Sequence, residues 1–384
     1  MVAVPAPTYD SNEGFNLSLS GRDFNFLGTL NPLKVDIGYE LDNHSNHSFL
    51  FAADLMFPFE LWGHIWTLDF DNSFKFSQTE PIYYGNDIGL LVDFPFKETT
   101  LTLGAYESIY VNEENEDRYK ASEGFYFKDV WYLNTEVLAR WEIPTGYEVY
   151  TFGELVYTPE INFSINYRPG GDIGPSRRGF EMGTKQFLGF GEAKWKGDFR
   201  EGLIAEIQNN DLYNFYTGKW DNELFVTGIY HRIFKPWLGI SGRIRWAQWF
   251  NEYYDDAGDM LRGIPDELLS ADYMLSINLE VPMKLFSFKP SEWFNKPKLR
   301  IINFVEHITP FVDIALVKDP INHRSFGFED MAVTVGLELT TYPEYFKSAY
   351  FRVSLGIDLK EVIRTGKLPD EYHRELFVGL GHFF

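Results

Sequence analysis

The segment HIWTLDFDNSFKF, residues 64–76, sets Trp66, Leu68, Phe70, Phe74 and Phe76 on one side of an extended chain. Thr67, Asp69, Asp71, Ser73 and Lys75 fall on the other. Side chains alternate across a strand, so this rhythm predicts a strand with one apolar and one polar face. The same period recurs in 14–26, 33–42, 48–58, 83–96, 98–111, 124–142, 146–164, 185–198 and 200–214. It continues through 221–234, 237–251, 271–283, 307–318, 330–342, 348–359 and 374–384. Many of the polar faces carry full charges, as where Arg243 and Arg245 alternate with Ile244 and Trp246. A packed core would not hold those charges, whereas a wide water-filled barrel interior accepts them.

The connections alternate as well. Short links such as FLGT (26–29), PFELWG (58–63), PTGY (144–147) and YPEYFK (342–347) take turns with longer polar ones. The long ones include SQTEPIYYGND (77–87), NEENEDRYKASEG (112–124), RPGGDIGPSRRG (168–179) and EVIRTGKLPDEYH (361–373). Short turns at one end and long loops at the other are the layout of a transmembrane, antiparallel, up-and-down β-barrel. The expectation is an all-β chain of about 16 strands, with 18 possible, since element boundaries read from sequence shift by about two to four residues. The last residues, ELFVGLGHFF, alternate to the very end, with Leu376, Val378, Leu380, His382 and Phe384 on one face. In a barrel such a strand places that face in lipid and closes the sheet. A soluble propeller or pair of sandwiches is the competing architecture. It lacks support from any repeat of fixed period, and it would have to bury the charged faces.

Composition sharpens this picture. Of the 384 residues 18% are aromatic and 32 are glycine, while the mean hydropathy is only -0.25. No run approaches the roughly 18 to 20 apolar residues of a spanning helix, but a barrel strand needs only about 10 residues with alternate ones apolar. With no cysteine, disulfides, thiolate metal sites and cysteine nucleophiles are excluded. The formal charge of -22 argues against nucleic acid as a partner. The eight histidines are scattered; His44 and His47, the closest pair, sit in DNHSNHS without the company of a metal site. No nucleophile elbow, phosphate loop or zinc-protease motif is present, so no catalytic residue, cofactor or metal is expected. The start, MVAVPAPTYDS, has neither the charged start nor the apolar core of a secretory signal, as expected of a mature form, a shortened chain or one domain of something longer.

Two further stretches carry a resemblance. DMLRGIPDELLSADYMLSINLEVPM (259–283) and HITPFVDIALVKD (307–319) look like the C-terminal half of the BamA/TamA-type bacterial surface-antigen superfamily, whose barrels insert outer-membrane proteins or export polypeptides. That family carries an Arg-Gly-aromatic motif on a long loop tucked into the barrel. Leu261, Arg262 and Gly263 match it here, with Ile264 in the aromatic's place. Its partner motif, Phe-x-Asp-x-Gly, is matched by Phe311 and Asp313, with Ala315 replacing the last glycine; a strand glutamate before proline is matched by Glu280 and Pro282. PTYDSNEGFNLSLSGRDFNFLGT (7–29) is similar to the family's opening strand pair. RRGF (177–180) is a rival for the loop motif, but lacks the following Glu-x-Pro strand.

The faces of these strands follow independently. If Ile277, Leu279 and Val281 meet lipid, Ser276, Asn278 and Glu280 face the lumen; if Val312, Ile314 and Leu316 meet lipid, Phe311 and Asp313 face it too. Both carboxylates then point to where a tucked loop would bring Arg262, while a surface arginine in a glycine turn is the plain alternative. The resemblance implies an integral protein of the bacterial outer membrane, a single barrel domain over 1–384 without the periplasmic POTRA domains of the family. It would insert or translocate unfolded outer-membrane or secreted polypeptides through a lateral seam between first and last strands, with periplasmic domains or lipoproteins as further partners. Pro5 and Pro7, which lack N–H donors, would weaken the seam on one side, with Gly379, Gly381 and Phe384 on the other; alternatively, residues 1–10 are a lead-in tail. A passive channel and a membrane anchor for another domain are the alternative functions, because function resides in sites and appended domains rather than in the fold.

Overall fold

The structure is a computed structural model. It describes all residues except 1, 12–13, 24–32, 44, 79–81, 112–130, 151, 170–178, 252, 345–349, 368–372 and 381–384, and the backbone alone of 2–4 and 22–23. The strands are β1 Val2–Asp10, β2 Gly14–Asp23, β3 Leu33–Leu41, β4 His47–Leu61, β5 His64–Ser77, β6 Tyr83–Phe96, β7 Thr99–Val111, β8 Trp131–Glu148 and β9 Glu154–Tyr167. They continue as β10 Gly179–Lys196, β11 Phe199–Asn214, β12 Trp220–Lys235, β13 Leu238–Phe250, β14 Tyr273–Glu280 and β15 Met283–Phe288. The last four are β16 Phe304–Lys318, β17 Ala332–Pro343, β18 Phe351–Asp358 and β19 Arg374–Leu380.

Each strand pairs antiparallel with its neighbours, and β1 pairs with β19, so the sheet closes on itself. β14 and β15 succeed each other along one strand position, both paired to β13 and to β16. The break falls at Val281 and Pro282, where proline has no N–H to give to a ladder. Among the described residues the barrel therefore has 18 strand positions, the larger of the two counts the sequence allowed. β1 occupies residues 2–10, so that segment is a barrel strand and not a lead-in tail.

Register shows why these sequences pair as they do. Between β4 and β5, Phe49 faces Phe76, Phe51 faces Phe74 and Leu55 faces Phe70, while one residue on Asp54 faces Asp71 and Met56 faces Asp69. Like charges directly opposite destabilise a ladder unless water screens them, which identifies the Asp face as the wet lumen and the Phe face as the outer wall. Tyr106 and Tyr110 on β7 extend the lumen pattern by donating to Asp69 (2.9 Å) and Asp87 (2.7 Å). The β4–β5 turn is the two-residue pair Trp62 and Gly63, both at positive φ (55° and 75°), the geometry whose twist matches flanking strands. Outward side chains such as Ile37, Leu103, Val137, Ile244 and Leu355 stay exposed, as an apolar belt must be when lipid is its solvent.

The packed core lies inside the barrel rather than between layers. Residues 251–272, the connection from β13 to β14, lay Ala257, Met260, Leu261, Ile264 and Leu269 against Ala247, Trp249, Met274, Ala315, Val317 and Ala332 of the wall. The opposite side of the lumen, along β4 to β9, keeps its polar lining.

The wall assignment makes a paired expectation. Ile244→Arg, on the outer face, should cost about 2–4 kcal/mol if it sits near the bilayer midplane. Met56→Lys, on the wet face opposite Asp69, should leave stability within about 0.5 kcal/mol. Urea unfolding in lipid vesicles measures both, and equal costs would reverse or cancel the assignment of faces.

Candidate functional site in the barrel lumen

The 251–272 loop is folded on itself by bonds between its own backbone groups. Tyr254 and Ala271 exchange hydrogen bonds (3.0 and 2.8 Å), and the Ala257 N–H donates to the Leu269 carbonyl at 2.8 Å. Two short 3-10 turns, Ala257–Met260 and Asp266–Leu268, carry the chain inward and back. At the base the Ser270 N–H donates to Asp319 Oδ2 at 3.1 Å. Burial alone would raise the pKa of Asp319, but hydrogen bonds from Asn322, Ser270 and Ile321 hold it below the usual carboxylate range.

At the inner tip Arg262 is 2% exposed. Its Nη2 donates to Asp313 Oδ1 at 2.7 Å, its Nε to Asp313 Oδ2 at 2.9 Å and its own backbone N–H to the same Oδ2 at 3.0 Å. Nη1 donates to Glu280 Oε1 and lies 3.8 Å from Glu338 Oε2. The guanidinium is centred 3.7 Å from the middle of the Phe311 ring, adding a cation–π contact. Arginine suits this place because its planar fork binds a carboxylate through two donors while its face stacks on a ring. Phe311 reaches across Gly336, where a Cβ would come within 2.3 Å of the ring's Cζ. Gly336 and Phe311 thus form the floor on which the cation rests.

The neighbouring residues hold the loop backbone. Gly263 donates its N–H to Glu375 Oε2 of β19 at 2.8 Å. Asn278 Nδ2 donates to the Met260 carbonyl at 3.0 Å and in turn receives Arg243 Nε at 2.9 Å. Gly263 adopts φ 104° against β18, where a Cβ on Gly356 would lie 2.6 Å from the Arg262 carbonyl carbon. The loop and β18 therefore touch backbone to backbone, which only glycine on the wall permits. Leu261 and Ile264 are buried in the apolar cluster and Ala315 lies beneath it, so these positions pack the loop and take no part in the ion pairs.

The sequence-expected residues Arg262, Gly263, Glu280, Phe311 and Asp313 are thus brought together in one place. Glu338, Glu375, Gly336 and Gly356 were not singled out. The lumen phase of their strands places all four on the inner face, but it does not separate them from the other inward positions. Elsewhere, Pro5 and Pro7 pair with Leu19 and Leu17 of β2, and the registered pairs closing β1 on β19 are Tyr9 with Val378 and Asp10 with Phe377. Gly379 lies against Thr8, whose Cγ2 would be 2.5 Å from a Cβ there. Gly381 and Phe384 fall outside the described residues, as do Arg177 and Arg178 of the rival motif. Phe180 of that motif stands on β10 and stacks on Phe163 (5.8 Å).

No family model matches the chain, and no curated protein matches it by sequence. Among solved structures, 98% of the chain superposes on BamA from Haemophilus ducreyi lacking POTRA domains 1–3, with a TM-score of 0.51 and 12% identity, spanning 69% of that chain. CdiB from Acinetobacter baumannii (TM-score 0.47, 12% identity, 98% of this chain and 58% of that one) and CdiB from Escherichia coli (0.43, 11%, 98% and 62%) are more distant matches. The chain has the fold of a BamA-type barrel.

Removing one partner of a buried ion pair costs about 3–5 kcal/mol, so Asp313→Ala should release the loop. Gly356→Val should do the same by displacing the Arg262 carbonyl, without touching a charge. Limited proteolysis of the refolded barrel in micelles should then cut within 251–272 in both variants and not in wild type; continued resistance would show that the apolar cluster alone holds the loop.

Proposed function

We propose that this chain is an outer-membrane barrel that inserts outer-membrane proteins or moves polypeptides across that membrane, with the Arg262 loop as an internal plug and the β1–β19 junction as a lateral seam. The observation that carries this reading is the seating of Arg262 on Asp313, Glu280 and Phe311 inside a barrel of BamA-type fold. The loop also reaches Glu375 on the last strand, so plug and seam share a residue neighbourhood. At the seam a client strand would pair with an exposed edge through backbone groups, which demands little of its sequence. Unfolded barrel or secreted polypeptides are the clients, and periplasmic domains or lipoproteins the natural delivery partners.

A passive channel is the second reading, favoured by the acidic lining of Asp54, Asp69, Asp71 and Asp87, a cation-attracting surface. A membrane anchor for another domain is the third.

Proteoliposomes holding the full chain, challenged with a urea-unfolded outer-membrane barrel, discriminate among these. The expected result is client folding several-fold faster than in empty vesicles, by heat-dependent gel migration. Single-channel currents should be nearly closed in wild type and large in Arg262→Ala and Asp313→Ala at matched insertion. No acceleration together with steady conductance in all three chains would sink the insertase reading in favour of the channel.

A further inference from the structure

The hairpin of β10 and β11 does not stay in the wall. Register between β10 and β9 stops at Gly189 with Val156, and register between β11 and β12 stops at Gly202 with His231, although the two hairpin strands remain paired down to Lys196 and Phe199. The bend is built on glycine in both strands. Gly191 has φ 102° and a Cβ there would sit 1.9 Å from the Leu203 carbonyl oxygen; Gly202 has φ 151° and would meet the Glu192 carbonyl oxygen at 2.1 Å.

Beyond the bend the tip turns into the lumen at the short-turn end. Phe199 stacks on His307 of β16 (4.7 Å) and Trp195 meets Tyr342 of β17 edge-on (5.1 Å). Asp198 accepts from Lys284 of β15 at 2.6 Å. Phe199 is 5% exposed. The back of the hairpin is charged and wet, with Lys194 73%, Glu192 64% and Lys196 72% exposed. Behind it a cavity of about 540 Å³ is lined by Phe152, Gly153, Glu192, Glu201, Tyr230 and Arg232, among others. There, Arg232 to Lys235 on β12 and Glu154 and Leu155 on β9 have no registered partner on the hairpin side.

Continuing the β11–β12 register past Gly202 and His231 would set Glu201 opposite Arg232, Phe199 opposite Phe234 and Asp198 opposite Lys235. Two opposite-charge pairs and an aromatic pair are the cross-strand combinations that stabilise a sheet. Continuing β9–β10 would likewise set Phe190 opposite Leu155. The wall thus holds a second, complementary seat for the same hairpin.

We propose that the β10–β11 hairpin is a two-position lid hinged at Gly191 and Gly202: inward it caps the short-turn mouth of the lumen, and outward it completes the barrel wall by pairing 198–201 with 232–235. Inward, Phe199 on His307, Trp195 on Tyr342 and Asp198 with Lys284 are among the contacts that hold the lid; outward, it gains ladder hydrogen bonds and fills the cavity. Its closure is separate from the Arg262 loop, which enters from the opposite end, and it applies to whatever solute the lumen carries.

The chain has no cysteine, so paired cysteines report one contact each. A zero-length disulfide between Phe199→Cys and Phe234→Cys requires Cα atoms within about 7 Å, the separation of residues that stand opposite each other in a ladder, as these two do in the outward seat. A short bis-thiosulfonate bridge between Phe199→Cys and His307→Cys locks the inward seat. In proteoliposomes both bridges should form. Both pairs are built on Arg262→Ala, which unplugs the lumen, and there single-channel current should fall several-fold in the inward lock and rise several-fold in the outward lock, each reversing on reduction. Thiol labelling and heat-dependent gel migration establish that both variants are folded with reactive cysteines. Failure of the outward disulfide in such a protein would make the hairpin a fixed plug and overturn the proposal; equal currents in the two locks would overturn it as a lid.

Discussion

A sheet in hydrocarbon has to close on itself, because no water is present to bond an edge and every unpaired N–H or C=O there costs several kcal/mol. The rest of this structure follows from that constraint. Closure turns the period of two into an inside and an outside, so that Phe49 and Phe76 meet lipid while Asp54 and Asp71 meet water. A barrel of 18 strand positions is wide, and its lumen is too broad for its own side chains to fill. What fills it here is chain that leaves the wall: the 251–272 loop from one end and the β10–β11 tip from the other.

The two insertions share one side of the lumen, from β13 to β19. The loop brings a cation and the wall answers with Asp313, Glu280 and Glu338; the hairpin brings rings and finds His307 and Tyr342. A buried guanidinium is tolerable only when its donors are occupied, and here three of its nitrogens, its face and its backbone N–H all have partners. The β4–β9 side retains tyrosines and carboxylates in a hydrated arrangement. One barrel therefore contains a packed half and a wet half.

The faces were legible in the sequence because alternation is a backbone property that survives any tertiary context. Glu280 and Asp313 could be placed on the lumen side from their apolar neighbours alone. The strand count was less legible, since Val281 and Pro282 interrupt a single strand position without a change of partner. Glu338 was hidden for a different reason: its segment was recognised as a strand, but nothing local distinguishes a lumen glutamate that meets an arginine from one that meets water. The hairpin's departure from the wall was hidden too, because alternation continues through 185–198 and 200–214 whatever those strands pair with. Only Gly191 and Gly202, two positions apart in the register of neighbouring strands, hint at a shared bend.

The hydrogen bond from Gly263 to Glu375 joins residues 112 positions apart. Its acceptor belongs to the last strand, and Asp313 and Gly356, the loop's other supports, also lie downstream of it. Such long-range contacts carry the largest loop-closure entropy, and they are the slow ones in folding. The bonds to Glu280 and Asn278 span only 18 residues, whereas the seat of Arg262 is complete only once β16, β18 and β19 stand in the wall. The plug is thus completed late, although two thirds of the chain has already been made when its residues appear.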